Sequence, residues 1–414
     1  MDVRVSLLRL GQKLGQDEVS LWDTRRHLLI ARGVSVKTYN ILHLQFLTMD
    51  IVEKMSVDKA PMVEKVTILE DPSSQIDAMC LSDSSNLLAV SASRIFANEW
   101  GGTLKVFKSS KDHAFVEAEE VALTAGNCAS LIFVKALKSN APETIVAASD
   151  SGDISIWNCE ENGRNLACQK SFAAHEKVVS CLAACKSQSM SFFSGSYDSS
   201  VKFWNADRLI RKFQGHQAPV GCIASCDGVR LSSASVTLCV SGGFDKCAYV
   251  WDLRASEPAI SFSADANINS LDWNSDICEN IITTGDGDGQ TSMYDIRLPF
   301  QPLFKFQKRG GSIGCIASYR RNADSGARYA IGSDDMTCAL IDSKISTSFD
   351  DQDFSKNEEE YMLADDLSSP YVLEAINECI LKDHVDYIRA LAWNKLNGNL
   401  LSAGWDGRIL CYKV

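Results

Sequence analysis

The sequence predicts an all-β chain in which seven four-stranded units close into a ring, a seven-bladed β-propeller. Three observations carry this. First, one phrase recurs: Gly195-Ser196-Tyr197-Asp198-Ser199-Ser200-Val201-Lys202-Phe203-Trp204, Gly242-Gly243-Phe244-Asp245-Lys246-Cys247-Ala248-Tyr249-Val250-Trp251 and Ala403-Gly404-Trp405-Asp406-Gly407-Arg408-Ile409-Leu410-Cys411-Tyr412. Each copy reads as strand, polar turn, strand, with Asp six positions before the closing aromatic. Second, closing positions fall at Phe107, Trp157, Trp204, Trp251, Tyr294, Ile341 and Tyr412, 43–47 residues apart from Trp157 to Ile341. That is close to the roughly 40–45-residue period of a propeller blade. Third, Val179–Ala184, Val220–Ser225 and Ile313–Ser318 are one small, apolar strand written three times. Such residues suit an innermost strand crowded beside a central channel.

In chain order, residues 1–61 fit none of the repeat and are read as an N-terminal extension, disordered or an artefact of the gene model. Met49 and Met55 each offer an alternative start. The propeller occupies residues 62–414. Its last blade ends on a third strand at Tyr412, so the fourth must come from elsewhere. Val63-Glu64-Lys65-Val66-Thr67-Ile68-Leu69 is the candidate, pairing with residues 408–413 and closing the ring. An acidic insert at about 346–370, including Glu358, Glu359 and Glu360, reads as solvated chain or as a landing site for a basic tail. A strand at 371–382 then resumes the sixth blade.

Composition narrows the function. The net charge of −12 disfavours direct nucleic-acid binding. No run of 18 apolar residues exists, so no membrane span is expected. The 15 cysteines include no C-x-x-C pair and read as reduced, buried thiols of an intracellular protein. No nucleophile elbow, phosphate loop or H-E-x-x-H motif appears, so no catalytic residue, metal or cofactor is expected. Gly285-Asp286-Gly287-Asp288-Gly289 is read as a tight turn rather than a calcium loop, which would need a later bidentate Glu.

Residues 62–414 resemble the WD-repeat family, with Trp251-Asp252 a literal copy of its dipeptide and Trp157-Asn158, Trp204-Asn205 and Tyr294-Asp295 degenerate ones. The resemblance implies that His175, His216 and His384 each hydrogen-bond the turn Asp of their own blade, Asp198, Asp245 and Asp406. Blades 1, 2, 5 and 6 lack such a His and are expected to rest on packing alone. Two functional readings follow. Asp245 through Trp251-Asp252-Leu253-Arg254 resembles the box by which WD-repeat receptors dock on a cullin–RING ubiquitin ligase; Tyr294-Asp295-Ile296-Arg297 is a weaker copy. More specific phrases, Asn98–Lys108, Ala148–Trp157 and His384-Val385-Asp386-Tyr387-Ile388-Arg389 with Gly404-Trp405-Asp406, resemble the methylosome branch of the family. That resemblance implies a non-enzymatic cofactor in cytoplasm and nucleus. It would bind the N-terminal barrel of the arginine methyltransferase that makes symmetric dimethylarginine. It would also help present basic substrates such as histones and Sm proteins. Trp100, with Glu99 and Gly101, matches the partner-binding loop, read here as lying between the second and third strands of blade 1.

Overall fold

The computed structural model describes residues 9–13, 18–22, 28–32, 63–83, 86–96, 99–109, 115–123, 126–134, 142–230, 235–306, 309–320, 326–347 and 371–414. The chain divides into two units, Met1–Met62 and Val63–Val414. In the first, strands Arg9–Lys13, Glu18–Trp22 and Leu28–Arg32 form an antiparallel sheet. This sheet was not expected from the sequence; the short apolar and alternating runs Glu18-Val19-Ser20-Leu21-Trp22 and Leu28-Leu29-Ile30-Ala31-Arg32 are its only signal.

The second unit is a seven-bladed propeller of antiparallel four-stranded sheets. The innermost strands are Gln75–Leu81, Cys128–Val134, Val179–Ala184, Val220–Arg230, Ile268–Asp272, Ile313–Arg320 and Ile388–Trp393, for blades 1 to 7. Each neighbours the next, and the seventh neighbours the first. The ring is held by apolar clusters that each join two adjacent blades. Cys222, Val240 and Phe262 of blade 4 meet Ile268, Ile282 and Tyr294 of blade 5, for example. Glycine on the second strand makes the approach possible. A Cβ at Gly195, Gly242, Gly285 or Gly332 would come within 2.4–2.8 Å of Val220, Ile268, Ile313 or Ile388 of the following blade. Hydroxyls and thiols of the inner strands lace the ring: Ser180, Cys222, Ser270 and Cys315 donate to the carbonyls of Val220, Ile268, Ile313 and Ile388.

Strand Glu64–Glu70 completes blade 7, pairing Arg408 with Glu70 through Lys413 with Glu64. Ile68 and Leu69 pack with Ile409 and Cys411 of blade 7 and Ile76 and Leu88 of blade 1. Strand Tyr371–Leu381 completes blade 6, and its pairing with Cys338–Thr347 runs on to Ser346↔Val372 and Thr347↔Tyr371. The rest of the acidic insert, including Glu358–Glu360, lies outside the described residues. All fifteen cysteines are free thiols. Burial pushes those of Cys128, Cys159, Cys181 and Cys315 up to about 12.

Candidate functional site: the turn face and the long hairpin of blade 1

Three blades carry the same polar relay. In blade 3 the Trp204 indole N–H donates to Ser194 Oγ at 2.8 Å, and Ser194 Oγ lies 2.8 Å from His175 Nε2. His175 Nδ1 lies 2.9 Å from Asp198. Blade 4 repeats it with Trp251, Ser241, His216 and Asp245 at 2.8, 2.8 and 3.0 Å. Blade 7 keeps Ser402, His384 and Asp406 at 2.7 and 2.9 Å. One proton assignment satisfies the relay: the serine hydroxyl donates to Nε2, and Nδ1–H donates to the carboxylate. The imidazole is then neutral. Burial pushes His175 down to about 4, against the upward pull of Asp198. Burial also lowers His216. Burial pushes the Asp198 carboxyl up, yet hydrogen bonds from Ser200 and His175 hold it below the usual carboxylate range. Each Asp also accepts the backbone N–H two residues on and the N–H after the His: Ser200 and Glu176, Cys247 and Gln217, Arg408 and Val385.

The serines were missed in the sequence, although each stands four residues before its Asp and ten before the closing aromatic. The histidines belong to separate blades, and the relay arranges them to brace turns. The expectation that blades 2, 5 and 6 rest on packing alone needs correction. Asp286 accepts the N–H of Asp288 and Gln290, Asp335 those of Thr337 and Gly310, and Ser149 Oγ that of Ser151. A turn needs an acceptor for its inward amides, and a carboxylate or hydroxyl supplies it without a His.

We expect Asp245→Ala to cost about 3 kcal/mol, because it strips partners from His216 and two backbone amides. His216→Gln should cost less, and the double variant less than the sum, measured by denaturant unfolding. Full additivity would mean that the two side chains do not act as one unit.

Blade 1 departs from this scheme. In the other six blades the closing residue pairs with a second-strand residue 12 positions earlier, as Phe192 with Trp204 and Cys239 with Trp251. In blade 1, Phe107 pairs with Leu88, 19 positions earlier. The surplus lengthens the hairpin of Leu87–Phe96 and Glu99–Ser109, whose ladder continues through Arg94↔Gly101, Ile95↔Trp100 and Phe96↔Glu99. At about 3.3 Å per residue, the extra length carries its tip about 10 Å beyond the neighbouring turns. Trp100 and Glu99 therefore lie on a strand, not in a loop as the sequence suggested. The Gly101-Gly102 pair that reads as a loop is accommodated in the ladder. Gly101 is exposed, with open space where a Cβ would stand. Gly102 is buried, and a Cβ there would meet Gly126 O at 2.7 Å. At the hairpin's root, Arg94 Nη2 reaches Asp71 at 2.6 Å.

The W-D-x-R run has a local role. Arg254 donates from Nε and Nη2 to Asp252, 2.6–3.1 Å away, and Arg297 holds Asp295 in the same way. The carbonyl of Leu253, between them, accepts from Arg211 of blade 3.

The model of the WD40 family (WD domain, G-beta repeat) matches residues 166–205, 207–252 and 377–413. Those segments contain the closing strands of the three blades that carry the relay. Over 329 residues the chain is 25% identical to the methylosome protein WDR77 of Xenopus laevis, covering 78% of this chain and 85% of that protein. It is 28% identical over 216 residues to a guanine nucleotide-binding protein subunit beta of Oryza sativa subsp. indica, spanning about half of each chain (48% and 52%). It is 23% identical over 244 residues to protein valois of Drosophila melanogaster, covering 54% of this chain and 63% of valois. The chain is thus a seven-bladed β-propeller with WD40 repeats at residues 166–205, 207–252 and 377–413, and along most of its length it is similar to the methylosome protein WDR77.

Proposed function

We propose that this chain is the propeller subunit of a methylosome-type complex. It is a non-catalytic platform that binds an arginine methyltransferase at that enzyme's N-terminal barrel and helps present Arg-rich substrates, such as histones and Sm proteins, for symmetric dimethylation. It would act in cytoplasm and nucleus. The observation that carries this reading is the long hairpin of blade 1, with Glu99, Trp100 and Gly101 in its outermost pairs. A strand pair standing clear of the ring is a ready projection for a partner's cavity, and interface tryptophans are typical hot spots. Similarity to a methylosome protein along most of both chains supports the reading. So does the charge of −12, since attraction of basic substrates speeds encounter.

Affinity capture of the full-length chain from extract of its own cells, read by mass spectrometry, tests this. We expect methyltransferase in stoichiometric amount. Recovery of a cullin–RING adaptor in its place would favour the receptor reading, for which Arg254 and Arg297 would have to leave Asp252 and Asp295.

A further inference from the structure

The outermost strand of blade 3, Arg208–Gln214, carries Arg208, Arg211 and Lys212 and no acid. The outer strands of blades 1, 6 and 7, Phe115–Leu123, Tyr371–Leu381 and Glu64–Glu70, carry glutamates instead. From Val179 to Gln214, blade 3 holds five lysines and arginines against two aspartates, in a chain of net charge −12. Both aspartates are engaged. Asp198 belongs to the relay, and Asp207 accepts from Lys170 of blade 2.

The basic strand also shows apolar side chains to solvent. Leu209 and Ile210 are 43% and 51% exposed. Singly exposed apolar residues are ordinary, but these two are consecutive on the last strand of a sheet, where the main chain offers outward N–H and C=O groups. Trp204 pairs with Leu209 and Phe203 with Arg211, so Ile210 is the extra residue of a bulge. Arg211 is committed to the carbonyls of Leu253 and Ala255 in blade 4, whereas Arg208 and Lys212 are exposed. Lys212 stands directly opposite Lys202. Like charges in that position cost stability, and a carboxylate laid beside them would relieve the repulsion. Charges and a bulge guard an edge against indiscriminate pairing; here their sign also selects the partner. A second copy of the chain is disfavoured, because antiparallel pairing of this strand with itself would set its three cations against three more.

We propose that Arg208–Gln214 is a docking edge for an extended segment of a partner protein that alternates acidic and apolar residues and adds to blade 3 as a fifth strand. Main-chain pairing supplies the affinity of such an addition, and the cations supply its specificity. The proposal rests on this edge and not on the methyltransferase reading; each can fail without the other.

The test uses the full-length chain and three fluorescein-labelled heptapeptides followed by fluorescence anisotropy. One alternates valine with glutamate, one alternates valine with lysine, and one is the glutamate peptide with alternate amides N-methylated. The glutamate peptide should bind about tenfold or more tighter than either of the others. Exchange of Arg208→Glu together with Lys212→Glu should weaken that binding about tenfold, with an unchanged thermal midpoint. The neutral pair Arg208→Gln and Lys212→Gln should weaken it less. Equal binding of the glutamate and lysine peptides would overturn the proposal, as would full binding of the N-methylated peptide. Undiminished binding of the glutamate peptide to the folded variants would overturn it too. So would tighter binding of a labelled single-stranded oligonucleotide, lost in the same variants, which would make the strand a phosphate site.

Discussion

Deleting residues 1–70 is expected to lower the thermal midpoint of the propeller by on the order of 5–10 °C, whereas deleting residues 1–48 should leave it unchanged. The longer deletion removes strand Glu64–Glu70, the outer strand of blade 7. It takes Ile68 and Leu69 out of the cluster that joins blades 7 and 1 and uncovers Ile409 and Cys411. Partial burial of two large aliphatic side chains, the apolar surface they cover and the cross-strand pairs together contribute about 4 kcal/mol or more. For a domain of this size each kcal/mol moves the midpoint by about 2 °C. The exposed ion pairs Arg408–Glu70 and Lys413–Glu64 add little. The shorter deletion removes only residues of the first unit. Calorimetry of both truncations against the full chain checks this; equal midpoints would mean that the closing strand does not hold the ring.

Trp100→Ala is expected to weaken methyltransferase binding at least tenfold, a loss of about 1.4 kcal/mol. Buried interface tryptophans commonly cost about 2 kcal/mol or more on truncation. The propeller itself should be indifferent to the change. Phe107 already fills the closing position of blade 1, buried at 2% exposure in the cluster shared with blade 7. Trp100 lies seven positions further out on the same strand, past the point where the other blades turn. Titration of the purified enzyme with both forms, alongside their melting curves, separates the roles. A variant that melts early yet binds normally would make Trp100 a packing residue and remove the hairpin from the interface.

Much of this architecture is legible in the sequence because it is periodic. Closing positions at a steady spacing give the blades, and a seventh blade that stops at Tyr412 demands the strand found at Glu64–Glu70. The relay is legible in part. His and Asp stand out as residue types, while Ser194, Ser241 and Ser402 pass as ordinary strand residues until the constant offset from Asp is noticed. The long hairpin is obscured by Gly101-Gly102, which suggest a loop although the ladder runs through them. Its sequence signal is a missing one: six positions before Phe107 stands Gly101, where the clearest repeats carry Asp. The basic edge of blade 3 is legible only as composition. Arg208, Arg211 and Lys212 stand together in the sequence, but Leu209 and Ile210 between them read as core until the sheet order places their strand outermost.

Docking of a methyltransferase on the long hairpin is read out by parallel capture from cell extract with the intact chain and with one whose blade 1 hairpin is shortened by seven residues, to the length of the other six. The intact chain should retain the enzyme in stoichiometric amount, and the shortened chain, folded and melting as before, should retain none. Equal recovery by both chains, or none by the intact chain, would contradict it.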